Sequence, residues 1–220
     1  MDFSKTLQIN EIFCSIQGES SRAGMPCIFI RLQGCNLRCK SCDTVYAQEF
    51  SDSKPISFSK IISEVKKYNV QYILFTGGEP LSQIDCTELM KYFCDEGYLV
   101  SVETNGSISL ENVDKRIVRI MDLKCPSSRV SEFNNYYNIS FLTKKDEVKF
   151  VIENREDFEW AKENCLKYNL KNTVGTVLFS PSFGLLEPSL LAKWILEDAP
   201  EVRMQLQLHK YIWAPDKRRV

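Results

Sequence analysis

Gly34-Cys35-Asn36-Leu37-Arg38-Cys39-Lys40-Ser41-Cys42 sets three cysteines in one short loop with the spacing C-x3-C-x2-C. The loop follows an apolar run over 27–32 that reads as a strand, so the thiols emerge from a strand end. A structural zinc site closes with four protein ligands. No second pair of matching spacing stands elsewhere, and the one histidine, His209, is remote in the sequence. A ferredoxin-type cluster asks for four cysteines. Three thiolates in one loop can hold three irons of a [4Fe-4S] cluster and leave the fourth open to a ligand, as catalytic metal sites keep a position open.

Around this loop, short runs rich in Ile, Val, Phe and Tyr read as strands over 8–16, 27–32, 72–75, 99–102, 119–123, 148–152, 174–179 and 204–208. Their composition suits buried parallel strands. Helical patterns lie between them. In 57–68, Ile61, Ile62 and Val65 share one face and Ser57 is placed to cap. In 82–95, Leu89, Met90 and Phe93 do the same, with Gly97 ending the helix. The stretches 157–168 and 188–197 behave likewise. The alternation predicts an α/β fold of right-handed βαβ units, whose ligands gather at the carboxyl ends of the strands. Closed barrel, partial barrel and open sheet all fit this pattern. Two further motifs fall at strand ends. Phe75-Thr76-Gly77-Gly78-Glu79-Pro80 carries two glycines that let the backbone approach a ligand, with Pro80 opening a helix. Glu103-Thr104-Asn105-Gly106 follows the next strand and contains an Asn-Gly turn signal.

Composition excludes several classes. The formal net charge of −1 offers no nucleic-acid or membrane surface, and the basic stretch Lys217-Arg218-Arg219 reads as a solvated terminus. No apolar run is long enough for a signal sequence or a membrane span, which points to the cytoplasm. In a reducing compartment, the clustered cysteines among the nine read as metal ligands rather than disulfides. Cys14, Cys27, Cys86, Cys94 and Cys165 read as small buried apolar residues. The length of 220 residues predicts one domain over 1–220.

The cysteine spacing, followed by Gly77-Gly78-Glu79-Pro80, resembles the radical S-adenosylmethionine (SAM) superfamily. Three further stretches narrow the likeness: Glu11-Ile12-Phe13-Cys14-Ser15-Ile16-Gln17-Gly18-Glu19-Ser20, the Cys42-Asp43-Thr44 run, and Asp122-Leu123-Lys124-Cys125-Pro126-Ser127-Ser128. With Gln207-Leu208-His209-Lys210-Tyr211-Ile212-Trp213 they resemble the 7-carboxy-7-deazaguanine synthase family, tightly at the motifs and loosely over 131–170. The resemblance implies a partial (β/α) barrel of mostly parallel strands with short N- and C-terminal extensions. It implies a [4Fe-4S] cluster on Cys35, Cys39 and Cys42, whose open iron takes SAM, and a 5′-deoxyadenosyl radical that abstracts the C6 hydrogen of 6-carboxy-5,6,7,8-tetrahydropterin. Ring contraction and loss of ammonia follow, SAM is regenerated, and Mg2+ assists. A homodimer reduced by an external flavodoxin- or ferredoxin-type donor is also implied.

Under that resemblance Ser41, Cys42, Asp43, Gly77, Gly78, Glu79, Lys124 and Ser127 are expected around SAM, and Thr44 on magnesium, which prefers oxygen ligands. Ile16, Gln17, Gly18, Thr76, Glu103 and Thr104 are expected around the pterin. Arg31, a planar permanent cation between Ile30 and Leu32, suits its carboxylate. His209 reads first as a structural histidine, with a substrate role open, and Val220 is a further candidate near the substrate. Trp160, Trp194 and Trp213 read as core or interface residues. Ser20 stands where many relatives have glycine, and Cys125, beside the site, is not expected to ligate the cluster. Two alternatives remain: another small radical SAM enzyme such as a glycyl-radical activase, against which Cys42-Asp43-Thr44 and Gln17-Gly18-Glu19 argue, and a zinc-binding module.

Overall fold

The structure is a computed structural model describing residues 1–50, 53–198 and 201–220. Its strands are β1 (Thr6–Ile16), β2 (Pro26–Leu32), β3 (Pro55–Ser57), β4 (Tyr72–Gly77), β5 (Leu99–Thr104), β6 (Val118–Asp122), β7 (Glu147–Ile152), β8 (Thr176–Pro181) and β9 (Arg203–Met204). Helices are α1 (Phe58–Val65), α2 (Cys86–Asp95), α3 (Arg155–Lys167), the short α4 (Leu170–Thr173), α5 (Pro188–Asp198) and the short α6 (His209–Ile212). The strands form one sheet in the order β3-β1-β2-β4-β5-β6-β7-β8-β9. From β2 onward every neighbour is parallel. β1 runs antiparallel to both β2 and β3, so the parallel reading fails for the first strand. The two end strands, β3 and β9, do not pair, and the barrel stays open.

Side chains alternate across each strand. One parity (Ile28, Ile30, Leu32; Ile73, Phe75; Val100, Val102; Val148, Phe150, Ile152) packs under the helices in the main core. Phe58, Phe93 and Phe158 from α1, α2 and α3 are fully buried there. Burying each such side chain contributes roughly 1.5–3 kcal/mol. The other parity faces inward. Phe13, Phe29, Leu74 and Ile120 fill the bottom, with Phe13 and Phe29 stacked at 4.9 Å. Two residues further along, the same face turns polar: Arg31 after Phe29, Thr76 after Leu74, Asp122 after Ile120. Register lines these up, with Arg31 opposite Thr76 and Asp122 opposite Lys149.

Several element boundaries differ from the sequence reading, for local reasons. The stretch expected to start a helix at 82 forms a 310 turn over Pro80–Ser82, capped by Glu79, and α2 begins at Cys86. α3 starts earlier than expected because Asn154 caps it, accepting from the Asp157 amide at 3.0 Å. β8 lies two residues later than expected, since the Gly175 amide turns to the Asp146 carbonyl at 2.9 Å. The expected strand 204–208 pairs only at Arg203–Met204. Beyond it the chain leaves the sheet, and Gln205 Nε2 donates to the Ser20 carbonyl at 2.8 Å. The Leu208 amide then donates to the Gly18 carbonyl at 2.9 Å, which draws the C-terminal segment across the strand ends.

Candidate active site

A cavity of about 580 Å³ opens at the carboxyl ends of the strands. Cys35, Cys39 and Cys42 line it together. Their loop is held by its backbone: the Gly34 amide donates to the Ala47 carbonyl at 2.8 Å, Cys35 to Gln48 at 2.9 Å and Lys40 to Ser128 at 3.0 Å. The Leu37 amide points at Cys35 Sγ and the Thr44 amide at Cys42 Sγ, both at 3.4 Å. Among the described residues no three His, Cys, Asp or Glu side chains converge as one metal ion requires. A cubane cluster does not need convergence, because each thiolate takes its own iron. Burial pushes the Cys35 and Cys39 thiols up, and bound iron reverses that by favouring thiolate. Three separate sulfurs, two of them with amide donors, fit a three-cysteine cluster better than zinc.

The two glycines explain how the second motif meets the first. Gly77 has φ 132°, and a Cβ there would lie 2.2 Å from the Leu32 carbonyl oxygen. At Gly78 a Cβ would lie 2.1 Å from the Gly34 carbonyl oxygen. The Gly78 and Glu79 amides donate to Leu32 and Gly34 at 3.1 and 2.8 Å. The glycine turn and the cysteine loop are therefore one packed unit, and Gly77 and Gly78 line the cavity. Glu79 does not. Fully buried behind the wall, it accepts from Thr104 Oγ1 (2.9 Å), the Asn105 amide (2.7 Å) and the Leu81 amide (3.0 Å). It braces the loop after β5.

Ser41, Asp43, Thr44, Lys124, Ile16, Gln17, Gly18, Arg31, Thr76, Glu103, Thr104, His209 and Val220 all line the cavity. Ser127 does not: its amide donates to Asp157 Oδ1 at 3.0 Å and its hydroxyl accepts from Asn154 Nδ2 at 2.8 Å, so it serves the start of α3, while Ser128 reaches the wall. Thr44 Oγ1 donates to Asp43 Oδ1 at 2.9 Å and keeps its oxygen lone pairs. Gln17 and Asp122 line the cavity, while Gln17 Nε2 and Asp122 Oδ1 themselves are buried without a hydrogen-bond partner among the described residues. His209 packs so closely that a Cβ on Gly18 would lie 2.1 Å from its Nδ1. Burial pushes its imidazole down, toward the neutral form.

The sequence reading missed a charged network on the inner face. Lys149 Nζ sits 2.7 Å from Glu19 Oε2 and 3.8 Å from Asp122 Oδ2, whose Oδ2 also accepts from Lys124 Nζ at 2.9 Å. Gln207 Nε2 bridges Glu19 Oε1 at 2.8 Å and Asp43 Oδ2 at 3.0 Å, joining the C-terminal segment to the cysteine loop. Burial alone would push the Lys149 ammonium down, but Glu19, Glu103 and Asp122 outweigh it and hold it well above its ordinary range. Glu103, with Thr76 Oγ1 donating at 2.9 Å, goes the other way: burial pushes its carboxyl up despite Lys149. The available signal was Lys149 itself, a charge between Val148 and Phe150 in an apolar strand.

An open, mostly parallel barrel with a three-cysteine loop packed on a glycine turn defines a radical SAM protein, and residues 29–181 match the Radical SAM superfamily. That superfamily implies a [4Fe-4S] cluster and SAM. The 7-carboxy-7-deazaguanine synthase of Koribacter versatilis (strain Ellin345) is 42% identical, covering 97% of this chain and 100% of its own length. That of Chlorobaculum tepidum is 42% identical over 100% of both chains. QueE from Escherichia coli shares the fold, with a TM-score of 0.78 over 93% of this chain and 95% of its own at 21% identity. The chain belongs to the 7-carboxy-7-deazaguanine synthase family.

Proposed function

We propose that this chain converts 6-carboxy-5,6,7,8-tetrahydropterin to 7-carboxy-7-deazaguanine and ammonia, on the way to queuosine and other 7-deazapurines. The observation that carries the reading is the inner face itself: next to the cysteine loop, both signs of charge stand in register above an apolar floor. The polar heterocycle carries an anionic carboxylate and N–H donors. Its carboxylate meets Arg31, its donors meet the Glu103 carboxylate, and Phe13 and Phe29 lie beneath. Cys35, Cys39 and Cys42 would hold the cluster, which with SAM would supply the radical hydrogen-abstraction chemistry the reaction needs.

The chain's own residues then bind, orient and exclude water. Gly77 and Gly78, with Ser41, Cys42 and Asp43, would hold SAM, the glycines offering backbone to its amino group. Lys124 would offer its ammonium to the SAM carboxylate. Asp122 and Gln17 line the same cavity. Thr44 would offer Mg2+ a neutral oxygen, a ligand type that ion prefers. His209, Thr76, Thr104, Ile16, Gly18 and Val220 complete the pterin side. Residues 1–220 act as one radical SAM domain, the short terminal extensions closing the site. Homodimerisation, a cytoplasmic setting and a flavodoxin- or ferredoxin-type donor come with the family. No helix among the described residues is long and apolar enough to cross a membrane.

The test is an anaerobic assay of the reconstituted protein with SAM, reductant, Mg2+ and 6-carboxytetrahydropterin, read by mass spectrometry. Formation of 7-carboxy-7-deazaguanine with SAM largely conserved is the expected result. 5′-Deoxyadenosine released without that product would overturn the substrate assignment and leave only the radical SAM class.

A further inference from the structure

One buried carboxylate behind the cavity lining is outnumbered by guanidiniums. Glu11, on β1, has a fully buried side chain. Arg31 Nε donates to its Oε1 at 2.9 Å, while Arg218 and Arg219 reach its Oε2 at 3.3 and 3.4 Å. Among the described residues Glu11 is the only carboxylate within ion-pair distance of any of the three arginines. Three permanent cations against one anion leave the group two positive charges in excess, and all three arginines line the cavity.

The C-terminal pair is placed rather than loose. The Arg218 guanidinium stacks 3.8 Å over the Tyr46 ring and donates to Asn10 Oδ1 at 2.8 Å. Arg219 holds φ 60°, a left-handed backbone that side chains disfavour. In that conformation both guanidiniums turn to the same carboxylate. Arg31 spends its Nε on Glu11; its two terminal nitrogens have no hydrogen-bond partner among the described residues.

We propose that Arg218 and Arg219 form the second jaw of a clamp that closes, together with Arg31, on the carboxylate of the bound substrate. Glu11 is the fixed counter-ion that keeps the jaws assembled beforehand. A carboxylate offers about four lone-pair sites, enough for more than one guanidinium fork. Preassembly lowers the ordering cost of binding. A bicyclic ligand without the carboxylate leaves the excess charge unmatched, so the clamp selects for carboxylated ligands. The inference rests on the substrate class proposed above.

The test is calorimetric titration of the anaerobically reconstituted holoenzyme with SAM, using 7-carboxy-7-deazaguanine and 7-deazaguanine as probes. Arg218 and Arg219 are about half and two-thirds exposed, so R218Q/R219Q is expected to fold with wild-type iron content. The expected result is a loss of roughly 10- to 100-fold in affinity for the carboxylated probe, the range of charge-assisted hydrogen bonds, with affinity for 7-deazaguanine unchanged. Equal losses on both probes would make the segment a plain cover and overturn the clamp, as would no loss on either. Wild-type protein that binds neither probe would overturn the substrate class and the clamp with it, whereas wild-type selectivity retained in the variant sinks the clamp alone.

Discussion

Replacing Lys149 with methionine removes the cation that ties β7 to the loop after β1. The Lys149 and Glu19 side chains are only 11% and 14% exposed, and their ion pair is 2.7 Å long. Taking one partner from a buried pair costs about 3–5 kcal/mol, because the remaining charge stays buried without compensation. Gln207 still donates to Glu19, so the lower end, about 3 kcal/mol, applies. For a chain of this size that lowers the thermal midpoint by roughly 6–12 °C. The assay is thermal unfolding of the anaerobic holo-protein at matched cluster content, for K149M, E19Q and the double variant. E19Q added to K149M recovers stability, since the orphaned charge is gone, and the cycle gives a coupling of at least about 1.5 kcal/mol. The pH dependence has a defined sign. Glu19 is held below its ordinary 4.5, so its contribution is present above that value and is lost as pH falls. Lys149 is held above its ordinary 10.5, so its contribution persists through neutrality and is lost only as pH rises through the folded value. The gap between wild type and K149M is therefore flat from about pH 6 to 9 and narrows below about pH 4.5. A midpoint shift under about 2 °C at pH 7, or a double variant that loses the sum of the single losses, would refute the pairing.

Two other substitutions probe the same cavity. Glu103 is held above its ordinary 4.5 by burial, so wild-type stability falls as pH rises from there through the folded value. E103Q is expected to raise the urea midpoint at pH 8, with the gain vanishing near pH 4.5, while kcat/KM drops by at least about tenfold; an unchanged midpoint at both pH values contradicts the assignment. G78A drives a methyl onto the Gly34 carbonyl and must displace the cysteine loop. Overpacking of this kind costs roughly 1–3 kcal/mol, and iron and sulfide bound per chain should fall below about half of wild type; full cluster content in G78A would show that the two motifs are not one unit.

The sequence made legible what is local. Cys35, Cys39 and Cys42 fall within one loop, Gly77 and Gly78 within one turn, and each follows an apolar strand, so their placement needs no long-range information. The periodicity of Ile28, Ile30 and Leu32 marks a helix-covered face just as directly. The misses have physical causes. β1 is apolar enough to read as a parallel strand, but strand direction depends on how its neighbours connect, and the 17–25 segment returns the chain as an antiparallel pair. Ser127 matches the motif in sequence, yet Asn154 and Asp157 claim it for the start of α3 and leave Ser128 at the wall.

Arg31 and Lys149 make the same point from opposite sides. Each is a lone cation on the inner parity of an apolar strand, between Ile30 and Leu32 and between Val148 and Phe150. Arg31 stood out because a recognisable motif follows it directly. Lys149 lies in the stretch where the family likeness is loose, and what makes its burial tolerable comes from elsewhere: Glu19 lies 130 positions away in sequence, and Gln207, which completes that carboxylate's partners, 188 from Glu19. A charge in a strand can be seen locally, but its compensation cannot. Arg218 and Arg219 are the extreme case. As a basic stretch at the end of the chain they read as solvated, and only the fold shows them lining the cavity and facing the buried Glu11, more than two hundred residues earlier. Where a buried charge in an apolar strand lacks a local partner, its partner is a distant segment folded over the same face, and in a barrel of this kind that face is where the ligand sits.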